Sequence, residues 1–340
     1  MTQDERKERI LLDHGSGGKI SHELITGIVL PEFDNPMLSR LDDGAELRFG
    51  DSRLAFSTDT FTVDPIFFPG GDIGDLAING TVNDVAMCGA VPLYLSSAVI
   101  IEEGFPLSDF KKIIRSMAEA ARRAGVKIVT GDTKVVPKGA ADRIFINTTG
   151  VGLIPEGVGP AGHRAAPGDQ VLISGTIADH GMTILTRREG MDFDSEIKSD
   201  SAALNHMTQK LLSVCPDIHV LRDPTRGGVG TTLNEIAESS GAGVLIHEDK
   251  IPVNDNVMGV CELLGFDPLY VANEGKLLAF VDKENAPAVL SEMKKDPLGR
   301  DAAIIGEVVD DHPGRVFLKT RIGGLRAVDM LAGEQLPRIC

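Results

Sequence analysis

Asp72-Ile-Gly-Asp-Leu-Ala-Ile-Asn-Gly-Thr-Val-Asn-Asp-Val-Ala-Met87 lies between two apolar, strand-like stretches. It reads as a helix. Asp72 and Asp75 fall in its first turn, where carboxylates meet the positive end of the helix dipole, and Gly89 stands where a C-terminal cap belongs. Upstream, Arg53 to Val63 is rich in β-branched and aromatic residues and reads as a strand. Downstream, Val91 to Ile101 is a second strand. Ser108 then caps a helix whose Phe110, Ile113, Ile114, Met117, Ala118 and Ala121 keep one face until Gly125 ends it. Strands at 126–130 and 143–154 follow. The order strand, helix, strand, helix, strand, strand is mixed, which points to an α+β fold and not to a doubly wound sheet.

The Pro- and Gly-rich residues 155–168 carry little hydrophobic pattern and mark a domain boundary. A second α+β domain opens at Val171. Helices are expected near 178–188, 200–213, 227–240 and 284–295, and strands near 243–247, 270–281, 302–309 and 315–319. The chain is thus expected to divide into a Gly-rich lid segment at 1–35, a first domain at 36–155, a second at 165–319, and a tail at 320–340. With Gly323, Gly324 and Gly333, the tail reads as a mobile arm ending in Leu336-Pro337-Arg338-Ile339-Cys340.

Composition sets the outer bounds. With 340 residues, 42% apolar and 25% charged, the chain is globular and long enough for two domains. Its longest near-apolar run, Val91 to Ile101, is too short to span a bilayer, and the charged N-terminus lacks the apolar core of a signal peptide. A formal charge of −16 argues against a nucleic-acid partner. Four widely spaced cysteines, Cys88, Cys215, Cys261 and Cys340, fit a reducing cytoplasm and offer no zinc framework.

Acids at strand ends and tight turns carry the chemistry. They are Asp42-Asp43-Gly44, Thr58-Asp59-Thr60, Asp64-Pro65, Asn83-Asp84, Gly131-Asp132-Thr133 and Asp223-Pro224-Thr225-Arg226-Gly227-Gly228. One such acid is usually a turn residue; six in apolar surroundings favour a hard cation. Oxygen ligands without a His or Cys cluster suit Mg²⁺ completed by the phosphates of ATP. Lys134 is placed to reach a phosphate, or else is a surface lysine. Glu274, in Asn273-Glu274-Gly275-Lys276, interrupts an apolar strand region and is a general-base candidate or a bulge carboxylate. Asp13-His14-Gly15-Ser16-Gly17-Gly18-Lys19 is not a P-loop: Asp13 stands where Gly is needed, and Ile20 where Ser or Thr is. Its backbone N–H groups and Lys19 can still close over phosphates as a lid.

The acidic set, with Asn83-Asp84-Val85-Ala86-Met87-Cys88-Gly89-Ala90 at its centre, resembles the ATP-binding superfamily of aminoimidazole ribonucleotide synthetase, selenophosphate synthetase and thiamine monophosphate kinase. Within it, His14-Gly-Ser-Gly-Gly18 and Pro337-Arg338-Ile339-Cys340 resemble the HypE family of hydrogenase maturation proteins, the carbamoyl dehydratases. The resemblance runs from about residue 11 to 340. The selenophosphate synthetase branch fits less well, because its Gly-rich loop carries a reactive Cys or selenocysteine where this one has only His14 and Ser16.

The resemblance implies a first-domain sheet that forms a barrel across a homodimer. It implies a carbamoyltransferase partner that loads Cys340, ATP-driven dehydration of the thiocarboxamide to a thiocyanate, and delivery of cyanide to an iron-scaffold maturation complex. It further implies Asp43, Asp59, Asp84 and Asp223 on Mg²⁺. Asp64, Asn83, Gly131, Asp132, Thr133 and Lys19 would lie about the nucleotide, and Cys340, Lys134, Glu274 and His14 at the reacting group. Two other readings stay open: another kinase or synthetase of the superfamily, and a thiol carrier without ATP chemistry.

Overall fold

Helix α1, Ile73–Met87, is buried at every position except Asp84, which is half-buried. Asp72 caps it, accepting from the backbone N–H of Gly74 at 2.7 Å and of Asp75 at 3.0 Å. A helix buried on nearly all sides lies in the middle of a molecule. The one place where this helix reaches solvent is therefore its carboxylate. The computed structural model describes residues 9–15, 17–33, 35–191, 197–333 and 336–340. Residues 1–8, Ser16 and Asp34 of the expected lid lie outside the described residues.

One face of a five-stranded sheet covers α1. The strands are β1 (Ala45–Phe49), β2 (Ser52–Phe61), β3 (Val91–Glu102), β4 (Lys127–Val136) and β5 (Ile144–Ile154). Their spatial order is β1-β2-β5-β3-β4, antiparallel except for the parallel β3–β4 pair. Helix α2 (Leu107–Ala124) makes that parallel crossover and packs on α1. Gly74 makes the packing possible, since a Cβ there would meet the Ile113 carbonyl at 2.6 Å. Phe61 and Ile78 are fully buried in this layer, each contributing roughly 2–3 kcal/mol.

The second half is a seven-stranded sheet. Its strands are β6 (Gln170–Ile173), β7 (Val220–Arg222), β8 (Gly243–His247), β9 (Leu278–Val281), β10 (Ala303–Val309), β11 (Val316–Lys319) and β12 (Leu325–Val328), in the order β12-β11-β8-β10-β6-β9-β7. Helices α3 (Asp179–Arg188), α4 (Asn205–Val214), α5 (Gly228–Ser240), α6 (Asp255–Leu264) and α7 (Ala286–Met293) accompany it. One apolar cluster joins the two halves: Val85 and Met87 of α1 pack with Leu211 of α4, Leu172 of β6 and Ala279 of β9. The architecture is mixed α+β in both halves.

Several local expectations need correction. Ser108 does not cap α2, whose N-cap position is Pro106, and the strand expected at 126–130 runs on to Val136 through Gly131-Asp132-Thr133. The strand expected at 270–281 is regular only from Leu278, because the backbone before it bonds elsewhere. The Asn273 amide donates to the Pro224 carbonyl, and the Asp200 carboxylate takes the Glu274 and Gly275 N–H groups. The helix expected from residue 200 begins at Asn205. The arm expected at 320–340 is docked over part of its length: β12 pairs antiparallel with β11, and residues 336–340 return to the first half. Strands β1 and β7 and helix α6 are additional to the expected elements.

Candidate active site

Ser57 on β2 donates to Asp84 Oδ2 at 2.6 Å, fixing the carboxylate that α1 presents. Two residues further along β2, Asp59 accepts from the Thr60 N–H at 2.8 Å. Asp43 comes from the turn before β1, and Asp223 from the end of β7. Burial pushes Asp43, Asp84 and Asp223 above the usual carboxylate range, Asp223 to about 6, and mutual repulsion adds to it. Asp59 is raised by burial and partly relieved by Arg226. The main counter-charge is Arg222, whose Nε lies 2.6 Å from Asp43 Oδ1, off the hydrogen-bond axis, and whose Nη2 donates to Glu235 at 2.7 Å.

These four acids are electrically close and unequally satisfied. Asp43 Oδ2 and Asp223 Oδ2 are buried without a hydrogen-bond partner. Among the described residues, no three His, Cys, Asp or Glu side chains close a metal site by themselves. Such an arrangement fits a cation that takes its remaining ligands from outside the protein, as Mg²⁺ does on nucleotide phosphates. A cavity of about 690 Å³ beside the cluster has the room; Gly17, His22, Asp42, Arg222 and Arg226 are in its wall.

The end of the chain enters a second cavity of about 280 Å³, walled by Thr60, Thr62, Arg226, Gly227, Tyr270 and Cys340 itself. Thr62 N–H donates to the Cys340 carbonyl at 2.9 Å, and Asp64 N–H to the Arg338 carbonyl at 3.1 Å. Arg338 donates back to the Thr62 carbonyl at 2.8 Å and pairs with Asp142. Burial drives the Cys340 thiol upward, Arg226 opposes this, and Glu274, Asp59 and Asp84 add to it. Glu274 is 3% exposed with Oε1 unpartnered, and burial beside Asp200, Asp223 and Asp59 raises it well above the carboxylate range. A buried carboxyl of raised proton affinity is suited to taking and returning protons.

Models of the AIR synthase related protein family match the chain twice, the N-terminal domain at residues 41–154 and the C-terminal domain at 166–319. The carbamoyl dehydratase HypE of Cupriavidus necator is 54% identical over 98% of this chain and 95% of its own length. The chain belongs to the HypE family. A crystal structure of HypE in complex with ATP superposes with a TM-score of 0.83 at 53% identity, covering 98% of this chain and all of that one. A HypE–HypF complex gives a TM-score of 0.87 at 52% identity, covering 91% of this chain and 99% of that one.

Within this HypE-family fold, the expected site residues separate into two groups. Asp43, Asp59, Asp84, Asp223, Glu274 and Cys340 act on one another electrically around the two cavities. The others do other things. Asn83 is buried and holds the 202–204 backbone, donating to the Ala202 carbonyl at 3.0 Å and accepting from Leu204 N–H at 2.8 Å. Asp64 pairs with Arg143, and its backbone receives Arg188 and the tail. Gly131, Asp132, Thr133 and Lys134 lie exposed on the edge strand β4, with Lys134 Nζ 2.7 Å from Asp132 Oδ1. The His14 ring bonds within its own turn to Leu11 N–H at 3.0 Å. Lys19 is exposed, 3.9 Å from Glu23.

The Gly-rich segment nevertheless lies over the site. Gly15 accepts from Arg226 at 2.9 Å, and a Cβ on Gly17 would strike Arg226 at 2.8 Å. Arg226 and Arg222 are functional candidates that sequence reasoning passed over. Both sit in or beside the Asp223–Gly228 motif, so the signal was present. His180 was also passed over, and a lone histidine in a helical stretch gave none.

Proposed function

We propose that this protein dehydrates an S-carbamoyl group carried on its own Cys340 to a thiocyanate, using ATP, and so supplies cyanide ligands for the iron centre of nickel–iron hydrogenase. The observation that carries the reading is Cys340 lining a cavity of about 280 Å³ together with Arg226, within electrostatic reach of Glu274, Asp59 and Asp84.

The chemistry is the removal of water from a thiocarboxamide. The amide oxygen is a poor leaving group, and a phosphoryl group transferred to it from ATP converts it into phosphate. Glu274, in its ionised form, takes one nitrogen proton and the departing phosphate carries the other as the C–O bond breaks and the nitrile forms, leaving ADP, phosphate and the S-cyano cysteine. Mg²⁺ bound through Asp43, Asp59, Asp84 and Asp223 would neutralise charge on the phosphates. Arg226 stabilises negative charge next to the sulfur. Because the substrate is tethered, little intrinsic affinity for a small molecule is needed.

Tail movement is part of the reading. Cys340 leaves the pocket to receive the carbamoyl group from a carbamoyltransferase and again to deliver cyanide to an iron-scaffold complex. The HypE–HypF complex structure supports a maturation partner for members of this family. The four free cysteines suit a cytoplasmic protein. A homodimer completes the assembly. Phe49, Phe56, Tyr94, Ile100, Val135 and Leu153 are exposed large apolar residues on the five-stranded sheet, and β4 is an uncovered edge. Such a surface is suited to a second copy closing a barrel, which would bring another β4, with its Lys134, to the assembly.

The test is the mass of the peptide ending in Cys340, measured with the carbamoyl-donor system before and after ATP. The carbamoyl adduct should form first, then lose one water. An adduct that never loses water when ATP is added overturns the proposal.

A further inference from the structure

Helix α3 carries His180, Ile184 and Arg188 at i, i+4 and i+8, one stripe along one face. All three meet the tail. His180 Nε2 lies 2.8 Å from the Ile339 carbonyl oxygen, and Arg188 Nη2 donates to the Arg338 carbonyl at 2.9 Å. Ile184 and Ile339 share one buried apolar cluster. Thr62 and Asp64 form the opposite side, donating to the Cys340 and Arg338 carbonyls. The last three carbonyls of the tail are thus each met by a donor, and α3 supplies the contact at 339.

We propose that His180 is a positioning residue, the central contact of a clamp on α3 that holds the tail by its backbone and aims the Cys340 sulfur at the acid cluster. This rests on the reading of Cys340 as substrate carrier and adds how the carrier is held.

The hydrogen bonds fix the tautomer. A carbonyl only accepts, so Nε2 carries the proton. Nδ1 then accepts from the Ser199 hydroxyl at 2.8 Å, and Ser199 Oγ accepts from Ser201 N–H at 3.0 Å. His180 is fully buried with Phe68 edge-on at 5.6 Å, and burial lowers its proton affinity against the pull of Asp200 and the Ile339 carbonyl. A neutral imidazole with one fixed donor follows.

The clamp touches peptide groups and not the sulfur, so it serves thiol, carbamoyl and cyano forms alike. Arg338 is held at φ 52°, a left-handed conformation that an L-residue leaves readily once contacts are lost. Docking at 338–340 should therefore be lost as a unit.

The experiment measures alkylation of Cys340 by iodoacetamide, without ATP or carbamoyl donor, followed by mass spectrometry, with a thermal melt of each variant. His180→Phe keeps a ring but no donor; alkylation should speed about tenfold. His180→Gln places its amide nitrogen near Nε2 and should stay within about twofold of wild type. His180→Asn reaches only the Nδ1 side and should resemble Phe. In single turnover, His180→Phe should slow dehydration while leaving carbamoyl acceptance equal or faster.

A folded His180→Phe alkylated at the wild-type rate overturns the clamp, and so does a Gln variant no better than Phe. If His180→Phe does not fold, Ser199→Ala, which frees the tautomer, should speed alkylation about threefold, and no change there overturns it equally. Faster alkylation in a protein whose wild type shows no dehydration would retain the clamp and discard the dehydratase.

Discussion

Asp200 and Asp84 are both carboxylates at the contact between the two halves, and the fold treats them in opposite ways. Asp200 receives the Glu274 and Gly275 N–H groups at 3.1 and 3.2 Å and Lys276 Nζ at 3.0 Å. Although buried, it is held below its ordinary range, since Lys276 and these donors outweigh desolvation. Asp84 receives one Ser57 hydroxyl and faces Asp223, Asp59 and Asp43, and it is pushed well up. Glu274 has its backbone in the first environment and its carboxyl in the second. The contrast separates acids whose charge the protein itself balances from acids whose charge it leaves largely unbalanced.

The largest expected effect tests what the starved acids serve. Cys340→Ala should fold, bind Mg²⁺–ATP as wild type does, and accept no carbamoyl group. Cys215 and Cys261 are buried in apolar clusters and should not substitute for it. Peptide mass spectrometry after incubation with labelled carbamoyl donor checks this; label on another cysteine would detach the acid cluster from the tail.

The comparison itself predicts opposite signs for two conservative changes. Asp84→Asn removes like-charge repulsion, so the nucleotide-free protein should be no less stable, while Mg²⁺–ATP affinity falls at least tenfold, about 1.4 kcal/mol. Asp200→Asn leaves Lys276 buried without its partner and should cost roughly 3 kcal/mol of stability. Denaturation curves and calorimetric ATP titrations on both variants decide it. If Asp84→Asn destabilises as much as Asp200→Asn, the division into two kinds of acid fails.

Proton linkage gives a smaller effect of the same kind. Asp223 is raised to about 6 in the folded state, against about 4 when unfolded. Between these values the folded chain binds more protons, so this group's contribution to stability falls as pH rises from 4 to 6, by about 2 kcal/mol. Asp200, depressed when folded, acts oppositely: its contribution is complete above the unfolded value and is lost as pH falls through the folded one. In EDTA without nucleotide, wild type should lose stability from pH 5 to 7 and Asp223→Asn should lose less. Equal slopes would mean that Asp223 is not starved.

Much of this was legible in the sequence, and the part that was not has a physical reason. The helix before Gly89 and the turn acids Asp43 and Asp223 follow from local pattern and turn chemistry, whereas Asp59 and Asp132 lie within β2 and β4 and Asp84 within α1, not at strand ends or turns. The irregular backbone at 271–277 does not, because the groups that satisfy it, Asp200 and Pro224, are remote in sequence. His180 has the same character: a histidine in a helical stretch becomes a contact to Ile339 only when the fold brings residues 159 apart together. Asn83 was legible as part of a motif, but its amide is engaged in joining the halves. The exposed position of Lys134 on β4 also depends on topology, which the sequence pattern left open.

The smallest effect concerns how the Gly-rich segment is held. Lys19 suggests a lid that grips phosphate by charge, yet its side chain is 64% exposed and its nearest acid, Glu23, is 3.9 Å away. An exposed pair of that kind contributes under about 0.5 kcal/mol and is screened by salt. The backbone does more. Lys19 N–H donates to the Leu331 carbonyl at 2.9 Å, and a Cβ on Gly18 would come within 2.3 Å of that same oxygen. That oxygen belongs to the chain leading into the tail, so the segment and the tail approach share one tight contact. Lys19→Ala should therefore change stability by less than about 0.5 kcal/mol and ATP affinity by no more than about threefold, the difference vanishing at high salt. Gly18→Ala should force the two segments of this contact apart and expose Cys340 to alkylation more than Lys19→Ala does. A lysine variant that loses ATP binding at every salt concentration, beside a glycine variant that behaves as wild type, would show that side-chain charge and not backbone fit closes the lid.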